Sequence, residues 1–391
     1  MKVLIILPSF PYPADSGYRI KTFNLIQILK KYFEIDLMIL QLKSEEHDLS
    51  YFHENSINCN IFTVNLIEKT LNLAKAIFTN SPFQSAVYKC KRARKELKYS
   101  VDRYDYVVCS MIRTSDYVDL VPRNKLIVDM VDLLSRGYTK SRENTNSTFF
   151  KLVYRLEAGR LAFMERYVAD KARYVLLVNK EETEYLNQRN NNVKWIPNGV
   201  NKVLFDYNKL DLNYSNDIVF LGTMNYQPNI DAMLWLDKHV LDHLDPRIRL
   251  IIIGRNPAAS ILDLQKRRKN VLITGYVEDP YIILNSGLAV VAPMQNGGGI
   301  QNKLLESMAL GTINVVTRYA ANPIFGAKDG EHFLVYDNPE EFAIALNNIL
   351  FDREKFYFLK KGAKDFIRSN YTWEQYEQSL IPCFDQNKKN V

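Results

Sequence analysis

The sequence is poor in cysteine and has no long apolar run, and each shortage excludes a class of protein. Its four cysteines, Cys59, Cys90, Cys109 and Cys383, lie far apart among 391 residues, with no C-x-x-C pair and no histidine at metal-ligand spacing. Neither a disulfide framework nor a zinc site is expected, and a reducing compartment suits the chain. No stretch approaches the roughly 18 uninterrupted apolar residues of a membrane-spanning helix. The early run KVLIIL is too short for a signal-peptide core and lacks a small-residue cleavage site, so it reads as a strand. A cytoplasmic protein is expected, with room for peripheral attachment at the inner face of the cytoplasmic membrane. Short-period repeats and low-complexity tracts are also missing.

What is present describes a globular chain of two domains. Hydrophobic residues make up 47% and charged residues 24%, ordinary values for a soluble fold. At roughly 150 residues per domain the length accommodates two cores. The net charge of +7 is uneven: residues 1–200 hold 30 Lys and Arg against 22 Asp and Glu, whereas residues 201–391 hold 21 against 22. The first half is therefore the one expected to face an anionic partner.

Both halves alternate short β-rich apolar runs with longer amphipathic stretches, the pattern of a parallel sheet covered by helices on both faces. Strands are expected at 2–7, 34–40, 59–64, 105–109, 125–129, 173–178 and 193–196, then at 217–221, 248–253, 271–274, 288–292, 313–316 and 332–335. The segment 197–216, rich in Asn and Asp, separates the two sets and reads as a hinge. Residues 338–389 read as consecutive helices. The expected division is 1–197, 198–370, and a C-terminal helical segment 371–391 packing back on the first domain.

The most informative stretch is VAPMQNGGGIQNKLLESMALGTINVVT, residues 291–317. A buried strand runs into Gly297, Gly298 and Gly299, then into a helix expected from Gln301 to Gly311. Successive glycines let main-chain amides wrap a diphosphate, the helix N-terminus favours its charge, and Lys303 adds a cation. Asn302 opens the same helix. Glu306, one turn further on, can accept hydrogen bonds from a ribose diol, although by itself it also reads as a solvated helix residue. Three further strand ends point to the same crevice. Gly222, Thr223, Asn225 and Tyr226 follow the first strand of the second half. Arg255 follows Gly254 after the next strand, where it can contact phosphate or simply cap a solvent-facing loop, and Tyr276 and Val277 offer a face or an edge for a nucleobase. In the first half, PSFPYPADSGYRIK places Gly17 at a helix start, with Ser16 or Asp15 as its cap; backbone amides there can approach an anion, with Arg19 and Lys21 as added charge, or the segment is an ordinary strand-to-helix loop.

WIPNGVN (195–201), FLGTMNYQPNIDA (220–232), IIIGRNP, VLITGYVEDP and GIQNKLLESMALGTINVVT together resemble the retaining glycosyltransferases of family 4 (glycosyl transferases group 1). The similarity is greatest to bacterial exopolysaccharide-associated sugar transferases, and PYPADSGYRIKTFNL, VDMVDLLS and FFKLVYRLEAGRLAFMERYVAD extend it over essentially the whole chain. The resemblance implies an α/β chain of the GT-B fold, with two Rossmann-like, doubly wound parallel-sheet domains facing a central cleft. It implies transfer of a sugar, with retention of configuration, from a UDP- or GDP-linked donor to a glycan or lipid-linked acceptor. No metal or other cofactor is expected, because glycine amides, a helix dipole and Lys303 can stabilise the leaving diphosphate. Closure of the two domains about the hinge is expected to exclude water.

The chain departs from the family pattern at two places. The E-x7-E glutamate pair would need an acid at 298, where Gly298 stands. Asn225 and Tyr226 occupy the turn where the family often has Arg and Lys, which leaves Lys303 and Arg255 to supply positive charge. On the acceptor side the candidates are Asp129 and Asp132 in VDMVDLLS, with helix capping by Asp132 and a backbone bond to Asp129 as the alternative. The run 89–98 carries six cations and one acid, and with the basic, aromatic helix near 149–166 it suits an anionic membrane as well as a solvated face. Nucleic acid is not an expected partner, since no recognition motif accompanies the charge. His239 and His243 lack the intervening Glu of H-E-x-x-H, with Val240 there instead. Two other readings remain: a nucleotide-sugar binding protein without turnover, and a nucleotide-sugar 2-epimerase.

Overall fold

The computed structural model describes residues 1–14, 16–144 and 148–384, and within 141–150 only the side chain of Arg142. Asp15 as a helix cap, Phe149 and Phe150 as membrane-facing aromatics, and 385–391 lie outside the described residues. The chain divides into two compact units, Met1–Pro197 with Glu377–Val391, and Asn198–Tyr376.

The first unit is built on one seven-stranded sheet. Its strands are β1 Lys2–Leu7, β2 Glu34–Gln41, β3 Asn58–Thr63, β4 Tyr106–Ser110, β5 Leu126–Val131, β6 Tyr174–Leu177 and β7 Val193–Trp195. They lie in the order β3-β2-β1-β4-β5-β6-β7, every pair parallel. The second unit holds β8 Asp217–Leu221, β9 Arg249–Ile253, β10 Val271–Gly275, β11 Ala289–Ala292, β12 Asn314–Val316 and β13 Leu334–Val335. Their order is β10-β9-β8-β11-β12-β13, again parallel throughout. The physical reason is visible in the runs themselves. VLIIL, VVC, LIV, IVF and LIII leave no polar face, so each central strand must be covered on both sides, which parallel crossovers with helices provide. Val3 to Leu7 and Leu250 to Ile253 are accordingly buried.

Each sheet reverses its direction of growth once, between β1 and β4 in the first unit and between β8 and β11 in the second. At such a switch point the loops leaving adjacent strands diverge and open a crevice beyond the strands' carboxyl ends. The helix Gly17–Lys30 follows β1, with Ser16 at its cap position in extended backbone but with no side-chain cap bond. The helix Asn302–Leu310 follows β11 and is closed by Gly311, whose left-handed backbone suits a residue without a side chain. Between 197 and 216 the regular pieces are the 3-10 turns Lys202–Asp206 and Leu212–Tyr214. At the far end come helices Pro339–Phe351, Tyr357–Asn370 and Trp373–Leu380. Beyond them Phe384 seats its ring 5.2 Å from both Phe33 and Tyr106, and Glu377 accepts from Tyr32 at 2.7 Å and pairs with Lys31.

Ile252, fully buried in β9, reports on this packing. Replacing it with alanine should lower stability by about 2–5 kcal/mol, read as a shift of the urea midpoint. A change within error would mean that the sheet is not the core of the second unit.

Candidate functional site

In the second unit the switch point is a closed set of loops. Gly222 N–H donates to Ile253 O at 2.9 Å, and Met224 N–H to Arg255 O at 2.9 Å, tying the loop after β8 to the loop after β9. Gly254 N–H continues the chain to Gly275 O at 2.9 Å. On the other side Asn296 donates to Asp231 at 2.7 Å, and Tyr319 donates its hydroxyl to Gly297 O. The space is too small for side chains at two positions. A Cβ on Gly254 would stand 1.7 Å from Gly222 O, and one on Gly222 would meet Asn229 Nδ2 at 2.6 Å and Lys303 Nζ at 3.2 Å. Gly297 and Gly299 have φ of +121° and +63°, which leaves the loop free to turn its amides in directions that other residues rarely reach. Gly298 is exposed between them.

Lys303 is the centre of this arrangement. Its Nζ donates to Asn229 Oδ1 at 2.8 Å, lies 3.9 Å from Met294 Sδ and sits 3.8 Å above the centroid of the Phe220 ring. None of these neighbours is an anion, and among the described residues Lys303 makes no ion pair. Burial consequently pushes its ammonium down to about 7, since a low-dielectric setting disfavours the charged form. Glu306, one turn along the same helix, does not answer that charge. It is hydrogen-bonded with Tyr281, and burial lifts its carboxyl to about 7.

The other expected residues take up distinct positions. Asn302 accepts from Asn198 at 2.8 Å. Gln301 is the cap residue of the helix, without a side-chain cap bond. Arg255 stacks 4.6 Å above the centroid of the exposed Tyr276 ring, and Val277 beside it is half-buried. Asn225 and Tyr226 are exposed, whereas Thr223 lends its carbonyl to Asn229 at 3.0 Å. Gly222, Lys303 and the glycine loop thus come together. Glu306 joins Tyr281 in a separate cluster, where Tyr207 donates to Asp279 at 2.8 Å and its ring lies 6.0 Å from that of Tyr281.

The first unit has its own cluster of buried polar groups at the ends of β4 and β5. Asp129 is buried and ion-paired with the buried Lys21, so Lys21 is held by a carboxylate of its own sheet rather than presented to a ligand beside Gly17. Met111 and Val131, at the ends of these neighbouring strands, both hold positive φ, 62° and 71°. Such strain in non-glycine residues, above all a β-branched one, marks backbone fixed by its surroundings. Asp132 follows directly. Burial raises its carboxyl above the ordinary range, against the pull of Arg113 and Lys21. Behind it stand Glu182, which accepts from Leu133 N–H at 3.0 Å, and Glu165, which accepts from Ser135 N–H at 2.9 Å. Burial raises both, and the Asp132 charge adds to the effect on Glu182. Among the described residues no three His, Cys, Asp or Glu are grouped to hold a metal ion.

Asn229, Tyr281, Glu165 and Glu182 are the participants that sequence reasoning did not single out. Asn229 sits inside the motif FLGTMNYQPNIDA, and a polar residue in the first turn of a helix beginning at Gln227 was its only signal. The two glutamates meet Asp132 only through tertiary packing.

Residues 215–352 match the family model for glycosyl transferases group 1. The HepE protein of Anabaena, solved with UDP and also with UDP-glucose, superposes with a TM-score of 0.67 for its UDP complex, covering 98% of this chain and 99% of that one at 14% identity. The fold is GT-B. WaaG, a glycosyltransferase involved in lipopolysaccharide biosynthesis, is a second GT-B neighbour, with a TM-score of 0.67, 13% identity, and coverage of 97% and 99%. A Klebsiella pneumoniae protein of the cps region is 23% identical over 400 residues, 97% of this chain and 99% of its own. The model match and the GT-B architecture support a glycosyltransferase, and the matched segment contains Gly222, Asn229, Lys303 and Glu306.

The depressed Lys303 ammonium has a consequence for stability. Between pH 7 and the ordinary lysine value the unfolded chain binds more protons at this site than the folded one, so stability contributed here rises with pH. Lys303→Met should therefore be more stable than wild type near neutrality. That gap should narrow toward pH 9, by at most about 1.4 kcal/mol per pH unit. A gap independent of pH, measured by urea unfolding, would contradict burial of a titrating amine.

Proposed function

We propose that this chain is a retaining, metal-independent glycosyltransferase of family 4 that takes a sugar from a nucleotide diphosphate donor, UDP-linked by preference and GDP-linked otherwise. The acceptor is a glycan or a lipid-linked glycan, and the setting is bacterial surface polysaccharide synthesis. The observation that carries the reading is Lys303, a cation desolvated at the switch point beside a glycine loop and a helix N-terminus, with no anion of its own among the described residues. A donor diphosphate supplies what that position lacks. Its charge would restore the ammonium, accept amides from 297–299 and lie at the positive end of the helix Asn302–Leu310.

The chemistry follows from the same placement. The bond from the anomeric carbon to the phosphate oxygen breaks, and negative charge grows on the diphosphate, where Lys303 and the amides stabilise it. The acceptor hydroxyl forms the new bond on the same face of the sugar, and its proton leaves with the departing phosphate oxygen. Glu306, kept partly protonated by burial, is assigned to the donor ribose, with Tyr281 orienting it. Tyr276 and Arg255 are assigned to the base. On the acceptor side the carboxyl assigned to the incoming hydroxyl is Asp132, while Asp129 is assigned to positioning through Lys21. HepE bound to UDP and UDP-glucose supports the donor class, and the cps-region relative supports the polysaccharide setting. Gly298, in place of an acid, favours one competitor, a protein that binds the donor and does not turn it over.

A thermal-shift screen with UDP-, GDP-, ADP- and TDP-sugars identifies the donor, since a ligand of the native state raises its melting temperature. Lys303→Ala and Glu306→Ala should each weaken its binding by roughly tenfold to a hundredfold, the loss of a hydrogen bond to a charged group. Unchanged affinity in both would overturn the placement. Proton NMR of the transferred sugar should show the donor's anomeric configuration. Inversion would refute retention, and tight binding without transfer to any acceptor would favour the binding protein.

A further inference from the structure

Among the described residues no helix is long and apolar enough to cross a membrane, yet one short helix of the first unit is built inside out. Leu66–Ile77 turns Glu68 and Asn72 to the protein. Glu68 accepts from Lys91 N–H at 2.7 Å, and Asn72 donates to Lys89 O at 2.8 Å. Ala76 is buried and Leu73 half-buried, but the other large apolar side chains face outward: Leu66 is 77% exposed, Ile67 75% and the following Phe78 88%, with Leu71 and Ile77 more than half exposed. At about 100° per residue, positions 66, 67, 70, 71, 74, 77 and 78 fall within an arc of about 140°. Thr70 and Ala74 complete that arc and are exposed as well. A surface helix normally buries such an arc.

The charges around it have one sign. Residues 66–98 carry eight Lys and Arg against two Glu, and Glu68 is turned inward. Lys69 and Lys75 stand at the two edges of the apolar arc, and Lys91, Arg92, Lys95 and Lys98 are exposed on the adjoining helix Lys91–Ser100. Lys89 and Arg94 of the basic run are not available in the same way, since both pair with Asp116 at 2.7 and 2.8 Å. The long helix Thr148–Lys171 adds to this surface. Its Arg160 donates to Ile77 O at 3.2 Å, and Leu152, Leu156 and Phe163 share an exposed stripe beside Lys151 and Arg155.

We propose that Leu66–Phe78 is an interfacial anchor that lies in the plane of an anionic lipid leaflet, its apolar arc sunk among the acyl chains and its flanking lysines at the headgroups. Large apolar side chains on one face with cations at its edges are the composition of helices that lie on membranes. Exposed apolar patches of this extent otherwise mark a protein interface, but the cationic rim is complementary to lipid phosphate. The anchor lies beside the 89–98 run, and insertion of side chains, rather than charge alone, holds it. It is independent of the donor chemistry, because its signal is read without nucleotide.

The full-length protein is sedimented with vesicles of phosphatidylcholine and phosphatidylglycerol, and with phosphatidylcholine alone. Binding should need the anionic lipid, weaken with salt, and fall at least about tenfold in Ile67→Ser/Leu71→Ser/Phe78→Ser. Melting temperature and UDP binding should be unchanged in that variant. The indole introduced by Phe78→Trp should emit further to the blue on vesicle binding and be quenched by lipids brominated along the acyl chain. Wild-type protein that ignores anionic vesicles, an unaltered triple variant, or a Phe78→Trp variant that brominated lipids fail to quench would each overturn the proposal. So would a concentration-dependent dimer abolished by the triple substitution, which would make the arc a contact between copies.

Discussion

A lysine amine buried without a counter-anion among the described residues is the constraint around which the second unit is arranged. Taking a charge out of water is costly, and the usual relief is a carboxylate partner or loss of the proton. Lys303 has neither in full. An amide oxygen, a thioether and the face of Phe220 surround it, and its pKa falls to about 7. Gly222 must lack a side chain for Asn229, the partner of Lys303, to keep its place, and Gly254 must lack one for Gly222 to fit. The strand ends, the glycine loop and the helix start are therefore packed around an amine with no ion pair among the described residues.

The first unit solves the opposite problem. Its buried lysine is already neutralised by Asp129, and the surplus there is of carboxyl groups, with Asp132, Glu165 and Glu182 close together and all raised by burial. Burial keeps Glu165 and Glu182 partly protonated near neutrality, each accepting from backbone beside Asp132.

Most of the architecture was legible because parallel sheets write themselves as unbroken apolar runs. KVLIIL, DIVFL and LAVVA could only be central strands, and the observed bounds differ from the expected ones by a residue or two at the ends. The triple glycine and the helix closed by Gly311 were equally plain, because turn and cap chemistry is local. The partners were not. Nothing near Lys303 in sequence indicates Asn229 and Phe220, and nothing near Asp129 indicates Lys21, since each pair is joined by a crossover. The helix Leu66–Ile77 shows the complementary limit: its period announces an amphipathic helix, but only packing reveals that the apolar side faces away from the sheet.

The most direct test of the central claim is calorimetric titration of UDP into the protein at pH 8, repeated in buffers of different ionisation enthalpy. An amine lowered to about 7 is mostly neutral there, and a diphosphate placed beside it should draw a proton from the buffer. The heat should therefore vary with the buffer and report uptake approaching one proton per UDP bound, with less uptake at pH 6, where the amine already carries its proton. UDP binding at pH 8 with heat independent of the buffer would mean that the diphosphate does not recharge Lys303, and the account of the site would fail.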